Sequence, residues 1–305
     1  RIHFPLFILM SEINISNSIV QEINQPLFNK GANNLFIKRD DLIHPFVSGN
    51  KWRKLKYNVE EIQLNQCAGC ITFGGAYSNH LLAVASAAQQ FNIKSIAYVR
   101  GEELNENSNL LLRKCSQLGM ELRFISRSSY FEKKQSSTFL YENELKYLVI
   151  PEGGANGNGI KGCEEILKET TNDFDVICLS QGTCTTSLGI LFSSPITSEI
   201  WVFPALKGFD SFNEMKSLSE RCGRSEDFQL HQHRIRTLDQ FHFGGYAQKD
   251  ETLMEFIFNF QIQSGIQLDA VYTGKAMYGL LHHLNELQNK RILFIHTGGV
   301  NEFNN

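Results

Sequence analysis

The stretch of this sequence that decides the fold reads Val47-Ser48-Gly49-Asn50-Lys51-Trp52-Arg53-Lys54-Leu55. Its Ser-Gly-Asn turn delivers Lys51 to the first turn of a predicted amphipathic helix, because apolar residues then recur at helical spacing, at Trp52, Leu55, Val59 and Ile62. A lysine at this place lies at the positive end of the helix dipole. With partial burial, this lowers the pKa of the ammonium and gives a nucleophilic amine. Taken alone, the stretch fits a solvated surface lysine better, so the rest of the chain has to decide.

Predicted strands and helices alternate along most of the chain. The predicted strands cover 70–73, 94–99, 120–125, 147–151, 175–179, 199–203 and 291–295, and the predicted helices cover 81–91, 107–118, 131–146, 160–170, 251–264 and 275–287. Because strands separated by helices of about 10 to 15 residues form parallel sheets covered by helices, the sequence predicts an α/β fold with open, mostly parallel twisted sheets. The glycine-rich segment 153–159 is the best candidate for a crossing between two domains, and residues 205–250 are the least regular part.

Composition and charge exclude several classes of function. The 305 residues are 42% hydrophobic and 20% charged, as is usual for a globular protein, and the net charge of -3 gives no basic surface for nucleic acid. No apolar run reaches the roughly 18 residues of a membrane span. The seven cysteines are odd in number and scattered, which favours a reducing, cytoplasmic setting over a disulfide framework.

Two shorter features are assigned no catalytic role. Cys67 and Cys70 have the spacing of a redox or zinc pair, but no second pair accompanies them and Cys70 begins an apolar strand, so we expect a structural role and no metal site. Residues 1–10 contain a short apolar stretch that could belong to a signal peptide. However, Pro5 interrupts the stretch, and no small-residue cleavage site follows it. We therefore expect Met10 to be the translation start.

Three polar turns follow predicted strands, and ligands gather at the C-terminal ends of strands in open α/β sheets. In the first, residues 74–80, Ser78 and Asn79 precede an alanine-rich helix and suit a carboxylate, although either could simply cap the helix. The second, residues 180–186, offers successive N–H groups and hydroxyls to a phosphate and lacks the Walker lysine; a polar surface loop is the alternative. The third, residues 296–299, has two glycines that admit a flat ligand, although an ordinary turn would look the same.

A nucleophilic lysine, a carboxylate-type turn and a phosphate-type turn together predict an amino-acid-processing site for pyridoxal phosphate. The sequence also resembles the 1-aminocyclopropane-1-carboxylate deaminase/D-cysteine desulfhydrase family, within the tryptophan-synthase-β-like (fold type II) enzymes. The segments that carry the resemblance, in the family's order, are 38–41, 48–51, 74–80, 151–154, 183–186, 271–277 and 296–299. The resemblance implies a homodimer of two-domain chains, with a large cofactor-binding domain of residues 1–48 and 156–305 and a small domain of residues 49–155.

The resemblance implies roles for the residues around the predicted lysine. Lys51 looks like the lysine that forms a Schiff base with the cofactor and carries the substrate Cα proton, and Asn50 is assigned to the cofactor with it. Asn79 looks like the partner of the cofactor's 3-hydroxyl and also borders the substrate. Ser78 and His80 match positions that hold the substrate carboxylate or assist proton transfer.

The resemblance extends to the later turns. The phosphate loop is matched by Gly182, Thr183, Cys184, Thr185 and Thr186. Tyr272 matches an active-site tyrosine. Tyr246, in the looser match Phe243-Gly244-Gly245-Tyr246, matches a second one. The resemblance also implies that the partner bound at this site is a small amino-acid substrate.

Two positions depart from the family's pattern. Cys184 stands where a glycine is usual, and its side chain would either crowd the phosphate or face outward. Thr273 follows Tyr272 where deaminases that open the cyclopropane ring carry a glutamate facing the pyridine nitrogen. A hydroxyl at Thr273 or Thr297 would leave that nitrogen mostly neutral. A neutral ring suffices for removing a Cα proton and expelling a good β leaving group such as thiolate.

The predicted function is therefore β-elimination from a small amino acid, as in D-cysteine desulfhydrase, which would give pyruvate, sulfide and ammonia. Ring opening of 1-aminocyclopropane-1-carboxylate to 2-oxobutanoate and ammonia is the alternative. A non-catalytic protein that binds the cofactor or an amino acid on the same scaffold is a further one, because a fold does not guarantee activity. Nucleotide binding is disfavoured, since no Gly-x-Gly-x-x-Gly lies between a strand and a helix.

Overall fold

A computed structural model describes residues 13–24, 34–135, 137–171 and 173–300 of the chain. Met10 and the stretch before it lie outside these residues. Two sheets form the framework, and helices cover their faces. The predicted α/β class with mostly parallel sheets is confirmed.

The strands of the described residues fall into two groups along the chain. They are β1 (Val20–Glu22), β2 (Asn34–Lys38), β3 (Gly69–Gly75), β4 (Lys94–Arg100), β5 (Glu121–Ile125), β6 (Phe139–Glu142), β7 (Leu145–Ile150), β8 (Val176–Gln181), β9 (Glu199–Pro204), β10 (Ile235–Thr237) and β11 (Arg291–Ile295). The six-stranded sheet has the order β1-β2-β11-β8-β9-β10, and the five-stranded sheet has the order β5-β4-β3-β7-β6. Only the outer pairs β1–β2 and β6–β7 are antiparallel.

Helices connect the strands on both faces of each sheet. Those in the described residues are α1 (Asn50–Leu64), α2 (Asn79–Gln90), α3 (Leu110–Gln117), α4 (Arg127–Lys134), α5 (Gly157–Cys163), α6 (Glu165–Lys168), α7 (Thr185–Ser193), α8 (Ser211–Arg221), α9 (Ser225–His231), α10 (Glu251–Ser264) and α11 (Thr273–His282). The central strands β3 and β8 are buried along nearly their whole length, as expected for parallel strands covered on both faces.

Each sheet has its own hydrophobic cores. Helices α10 and α11 pack on one face of the larger sheet, around Trp201 and Phe294, and α5 to α9 pack on the other, around Leu188. The smaller sheet packs against α1, α2 and α3 on one face. Its strands all fall inside the predicted 49–155 domain, and those of the larger sheet inside 1–48 and 156–305. The division into two domains nevertheless stays a prediction.

The predicted helix over 131–146 is wrong. Only α4 is helical there, and the chain then forms a hairpin between β6 and β7. Asn143 and Glu144 form its two-residue turn, with φ values of 48° and 66°, as in the tight turns that match the twist of paired strands. The alternating pattern of each strand spans only a few residues, so the segment was interpreted as a helix. Pairing of β6 with β7 outweighs the weak local preference for a helix.

Other segments differ from the prediction mainly in their ends. The helix expected over 160–170 is divided into α5 and α6. The irregular segment 205–250 contains α8, α9 and β10. All seven cysteines are free thiols, and Cys70 lies buried inside β3, where burial raises its pKa to about 12. No helix in the described part of the chain is long and apolar enough to cross a membrane.

Candidate active site

The turn before Lys51 is packed against the C-terminal end of β11. Gly49 has a φ of +61°, and a Cβ placed on it would lie 1.9 Å from the carbonyl oxygen of Thr297, so only glycine fits. The N–H of Asn50 donates to the same carbonyl at 3.2 Å. These contacts seat the first turn of α1 where the strands of the larger sheet end. The predicted position of Lys51 in the first helical turn is confirmed.

The amine of Lys51 lies beside an amide and a second lysine. Its Nζ donates to Oδ1 of Asn50 at 2.9 Å, and Nδ2 of Asn50 donates to Oγ1 of Thr186 at 2.8 Å. Burial and the nearby Lys54 lower the pKa of Lys51 to about 7, although Asp269 acts in the opposite direction. With a pKa near neutrality, Lys51 can lose its proton at neutral pH and act as a free amine, as a nucleophile or a proton acceptor needs.

A buried ion network fixes the rest of the first turns of α1. Arg53 is fully buried and bonds Oδ1 of Asp40 at 3.0 Å and Oε2 of Glu169 at 2.8 Å. Lys38 also reaches Glu169, at 2.8 Å. The network joins β2, α1 and the end of α6, so the helix that carries Lys51 has little freedom to shift.

The loop 180–186 ends at the N-terminus of α7. No side chain caps this helix, so its first amides have no acceptor within the helix. Thr183 and Thr185 place their hydroxyls 3.3 Å apart beside these amides. Free amides and hydroxyls at a helix N-terminus form an anion site. The predicted phosphate loop therefore has a suitable local geometry.

The side chain of Cys184 faces away from this loop. Cys184 has a φ of +62°, in the left-handed region that favours glycine. Its Sγ lies 4.0 Å from the carbonyl oxygen of Ser211 and packs in the core under α7 and α8. Of the two arrangements expected for Cys184, the structure has the one in which the side chain turns away from the predicted phosphate position. Only the backbone of Cys184 is left to face that position.

Lys54 is a residue that the sequence analysis missed. It follows Lys51 by one helical turn, is 5% exposed, and lies against Gly154 at the end of β7. Burial lowers the pKa of its ammonium. Within residues 34–135, 137–171 and 173–300, no carboxylate pairs with it. The signal that could have found it was its spacing of three from Lys51, which puts both amines on one side of α1.

The turn 74–80 supplies a second helix N-terminus. Ser78 immediately precedes α2 but makes no capping bond with its side chain. Its hydroxyl is therefore free to face a ligand, and the simple capping role considered for Ser78 does not apply. Asn79 is the first residue of α2. The arrangement suits a carboxylate, which would accept from the first amides of the helix.

The imidazole of His80 lies beneath this turn rather than in it. Its Nε2 is 2.8 Å from Oγ1 of Thr72, whose hydroxyl donates to the carbonyl of Ile150. Nε2 therefore carries the proton, and Nδ1 has no partner among the described residues. Burial, with Lys51 and Lys54 nearby, lowers the pKa of His80 to about 3. The imidazole is therefore neutral and a weak base at neutral pH, and the expected roles of His80 in holding the substrate carboxylate or assisting proton transfer stay predictions.

Thr273 is held by a residue that the sequence analysis did not consider. Its Oγ1 donates to Oδ1 of Asp269 at 2.6 Å and accepts from the N–H of Asp269 at 2.9 Å. Asp269 also accepts from the N–H groups of Val271, Tyr272 and Thr273, at 2.8 to 2.9 Å. The Thr273 hydroxyl is thus committed to this turn, which argues against its expected place on the pyridine nitrogen. The aspartate four residues before Thr273 was the available signal, because aspartate often closes such turns.

Thr297 and Tyr272 lie near the C-terminal end of β8. Oγ1 of Thr297 lies 3.1 Å from the hydroxyl of Ser180, where β11 and β8 end. A Cβ on Gly182 would come within 3.1 Å of the Tyr272 ring. The ring of Tyr246 lies 6.1 Å from that of Tyr272, nearly at right angles. Burial raises the pKa of both phenols, so both are protonated at neutral pH.

Comparison with known proteins identifies the class. The family model of pyridoxal-phosphate dependent enzymes matches residues 20–298. The chain therefore belongs to this family, and the predicted cofactor is confirmed.

Individual relatives define the group within the family. A protein of Pyrococcus horikoshii called a putative 1-aminocyclopropane-1-carboxylate deaminase is 32% identical over 285 residues, covering 87% of this chain and 84% of that protein. D-cysteine desulfhydrase of Klebsiella pneumoniae is 28% identical over 285 residues, covering 87% of each. The crystal structure of an ACC (1-aminocyclopropane-1-carboxylate) deaminase homologue superposes with a TM-score of 0.78 at 26% identity, over 95% of this chain and 91% of that one. The chain is thus a member of the 1-aminocyclopropane-1-carboxylate deaminase/D-cysteine desulfhydrase group, as the resemblance indicated.

The residues present fit the cofactor. Lys51 offers an amine with a lowered pKa to an aldehyde, and Lys54 offers a second buried amine without a carboxylate partner among the described residues. The uncapped start of α7 offers amides to a phosphate. An aldehyde and a phosphate on one ring are the two groups of pyridoxal phosphate that these features would bind.

Proposed function

We propose that the chain eliminates the β substituent of a small amino acid, with D-cysteine as the substrate. One D-cysteine and one water would give pyruvate, hydrogen sulfide and ammonia. Bound pyridoxal phosphate supplies the electron sink that makes the Cα–H bond acidic. The parts played by the protein are to hold the substrate carboxylate, accept the Cα proton and accommodate the leaving sulfur.

The observation that carries the proposal is the occupancy of Asp269. A carboxylate has about four acceptor positions, and those of Asp269 are used by Val271 N–H, Tyr272 N–H, Thr273 N–H and the Thr273 hydroxyl. This leaves no lone pair of Asp269 for a pyridine nitrogen. The hydroxyl of Thr297 is then the group proposed to face that nitrogen, which leaves the ring mostly neutral. A neutral ring favours loss of a good leaving group over opening of a cyclopropane.

The proposed roles follow from the acid–base state of each group. The amine of Lys51, with its pKa of about 7, accepts the Cα proton. Ser78 and the first amides of α2 hold the substrate carboxylate, and Asn79 holds the cofactor's 3-hydroxyl. The protonated phenols of Tyr272 and Tyr246 can donate a hydrogen bond to the leaving sulfur.

The phosphate is assigned to the other side of the cleft. We propose that Asn50, Gly182, Thr183, Cys184, Thr185 and Thr186 hold it, Cys184 through its backbone alone. Lys54 adds the cation. The hydrogen bond from Asn50 to Thr186 supports this assignment, because it ties the lysine turn to the phosphate loop.

The test is turnover by the cofactor-loaded chain. Sulfide and pyruvate would be measured with D-cysteine, and 2-oxobutanoate with 1-aminocyclopropane-1-carboxylate. We expect equal amounts of sulfide and pyruvate and a higher kcat/KM for D-cysteine. Faster turnover of the cyclopropane substrate would contradict the argument from Asp269 and favour ring opening, the activity in the name of the Pyrococcus relative.

A pair of lysine variants on one helix controls this test. Lys51→Ala should abolish turnover and the cofactor's absorbance at about 410–430 nm. Lys56→Ala should preserve both, since Lys56 is partly exposed on α1 and pairs with Glu165 at 2.9 Å. If Lys51→Ala keeps the absorbance band, the assignment of the lysine is wrong.

The assembly and location are proposed from the resemblance and the composition. A homodimer should have twice the mass of one chain by light scattering, and a monomer would contradict it. The free state of all seven cysteines is in keeping with a reducing cytoplasm. Fluorescence microscopy of the tagged chain in its own cells would test the location.

A further inference from the structure

The loop that carries Tyr246 has an unusual backbone. Four of its residues have positive φ: Phe243 (51°), Gly244 (92°), Gly245 (125°) and Ala247 (55°). Phenylalanine and alanine disfavour this region because the Cβ approaches the following carbonyl. A short loop with this backbone needs contacts from outside to keep one conformation.

Those contacts come from the first turn of α11. Lys275 is 2% exposed, and its Nζ donates to the carbonyl of His242 at 2.9 Å and to that of Gly245 at 2.7 Å. In the described part of the chain, no carboxylate lies within ion-pair distance of it. A buried ammonium bonded to two backbone carbonyls makes charge-assisted hydrogen bonds, which are the stronger kind. Lys275 thus holds the loop at the residue before its left-handed stretch and at a glycine within it.

Lys275 also ties the loop to the other tyrosine. Tyr272 immediately precedes α11, so Tyr272 and Lys275 lie one helical turn apart. Tyr246 follows Gly245, whose carbonyl is the second one that Lys275 binds. Lys275 therefore links the backbone beside Tyr246 to the helix that Tyr272 precedes, and the two phenol rings lie 6.1 Å apart.

We propose that Lys275 is a positioning residue that keeps Tyr246 against Tyr272 on the leaving-group side of the substrate. This role rests on the proposed function, because it acts through Tyr246. A second anchor keeps the loop from detaching as a whole: the ring of Phe243 packs on Tyr278 at 5.0 Å. Loss of Lys275 should therefore misplace Tyr246 without unfolding α11.

Protonation of Lys275 offers a second readout. Burial lowers its pKa to about 8, while Asp269 and, from the start of α10, Asp250 oppose the shift. The other titratable residues near it are His242 and Tyr246 in the loop and Lys207, which packs against Gly245. As the pH rises past about 8, the ammonium becomes an amine and its hold on the two carbonyls weakens. The wild-type kcat should fall there, and this fall should be absent in Lys275→Met.

The test compares Lys275→Met with Arg234→Met in the cofactor-loaded chain. Arg234 is a matched control, because it is also buried and donates to backbone carbonyls, at the opposite end of β9. Amide hydrogen exchange in 242–248 should accelerate roughly ten- to a hundredfold in Lys275→Met, as expected for the loss of a charge-assisted hydrogen bond. It should not change in Arg234→Met. The kcat for D-cysteine should fall in Lys275→Met while cofactor absorbance is retained.

The outcomes separate this role from the proposed function. Unchanged exchange in a folded Lys275→Met would overturn the anchoring, and a loosened loop with unchanged kcat would overturn the positioning role. If the wild type does not act on D-cysteine, the proposed function fails, but the exchange result still decides the anchoring. If Lys275→Met does not fold, the wild type decides: exchange in 242–248, corrected for its intrinsic pH dependence, should accelerate as the pH passes about 8, where Lys275 loses its charge. An unchanged corrected rate would overturn the anchoring.

Discussion

Replacing Lys54 by methionine should weaken cofactor binding and stabilise the chain without cofactor. Lys54 is buried, and its ammonium has no carboxylate partner among the described residues. Its pKa is lowered by burial, so the unfolded chain binds this proton more tightly than the folded chain. Stability without cofactor should consequently rise as the pH approaches 10.5, the ordinary lysine value. Methionine has no charge to bury and should reduce that rise.

The same substitution should weaken cofactor binding, although it stabilises the chain without cofactor. A hydrogen bond to a charged group contributes roughly 1.5–3 kcal/mol, which is about 10- to 150-fold in Kd. At about 100 times the wild-type Kd, the cofactor should stabilise the wild type by about 2.7 kcal/mol. A variant with a roughly 100-fold weaker Kd should gain only about 0.4 kcal/mol. Urea unfolding with and without cofactor measures both quantities, and an absorbance titration gives the Kd directly.

Lys56→Met is the control for this experiment, because Lys56 lies on the same helix and pairs with Glu165. It should leave the Kd unchanged. A wild-type Kd in Lys54→Met would refute the assignment of Lys54 to the phosphate. Loss of stability without cofactor would refute the argument that its burial is unfavourable.

Other contacts of the site give predictions of the same kind. Arg53→Met leaves Asp40 buried without its cation and should lower the free energy of unfolding by roughly 3–5 kcal/mol in urea; a loss below about 1 kcal/mol would contradict the role of the network. Because Lys51 must be an amine to accept a proton, kcat/KM should rise as the pH passes about 7, and a profile without that rise would contradict its role as base. Asp269→Asn removes acceptors from the turn before Tyr272, so it should cost roughly 1–3 kcal/mol of stability and lower kcat; wild-type kinetics would show that this turn does not position the tyrosine.

The surroundings of Lys51 could be predicted because their determinants are local. The apolar residues Trp52, Leu55, Val59 and Ile62 form the buried face of α1. Two of the three polar turns, 180–186 and 296–299, could be placed near each other because they follow β8 and β11, adjacent parallel strands of one sheet. The turn 74–80 follows β3 of the other sheet, so its place beside them depends on how the two sheets pack, which the local pattern does not give.

Side-chain directions could not be predicted in the same way. Whether Cys184 enters the phosphate loop depends on its left-handed backbone, which turns Sγ toward Ser211. The hydroxyl of Thr273 looked available in sequence, but Asp269 captures it across a turn. Lys54 stands out because no carboxylate among the described residues pairs with it. This can be seen only in the folded chain. Each of these depends on contacts that the spacing of residues does not record.

The acid–base character of the site follows from the convergence of helix N-termini. Helices α1, α2, α7 and α11 begin near one another, since Asn50 bonds Thr186, the Tyr272 ring lies against Gly182, and His80 feels the charge of Lys51. Each presents the positive end of its dipole. Lys51 and Lys54 add two buried amines, opposed by Asp269. Such an environment disfavours extra positive charge, which agrees with the lowered pKa of both lysines, and it favours a ligand with a phosphate and a carboxylate. Burial is the main cause of the lowered pKa of Lys51, and the positive surroundings that add to it would also attract an anionic cofactor and an amino acid.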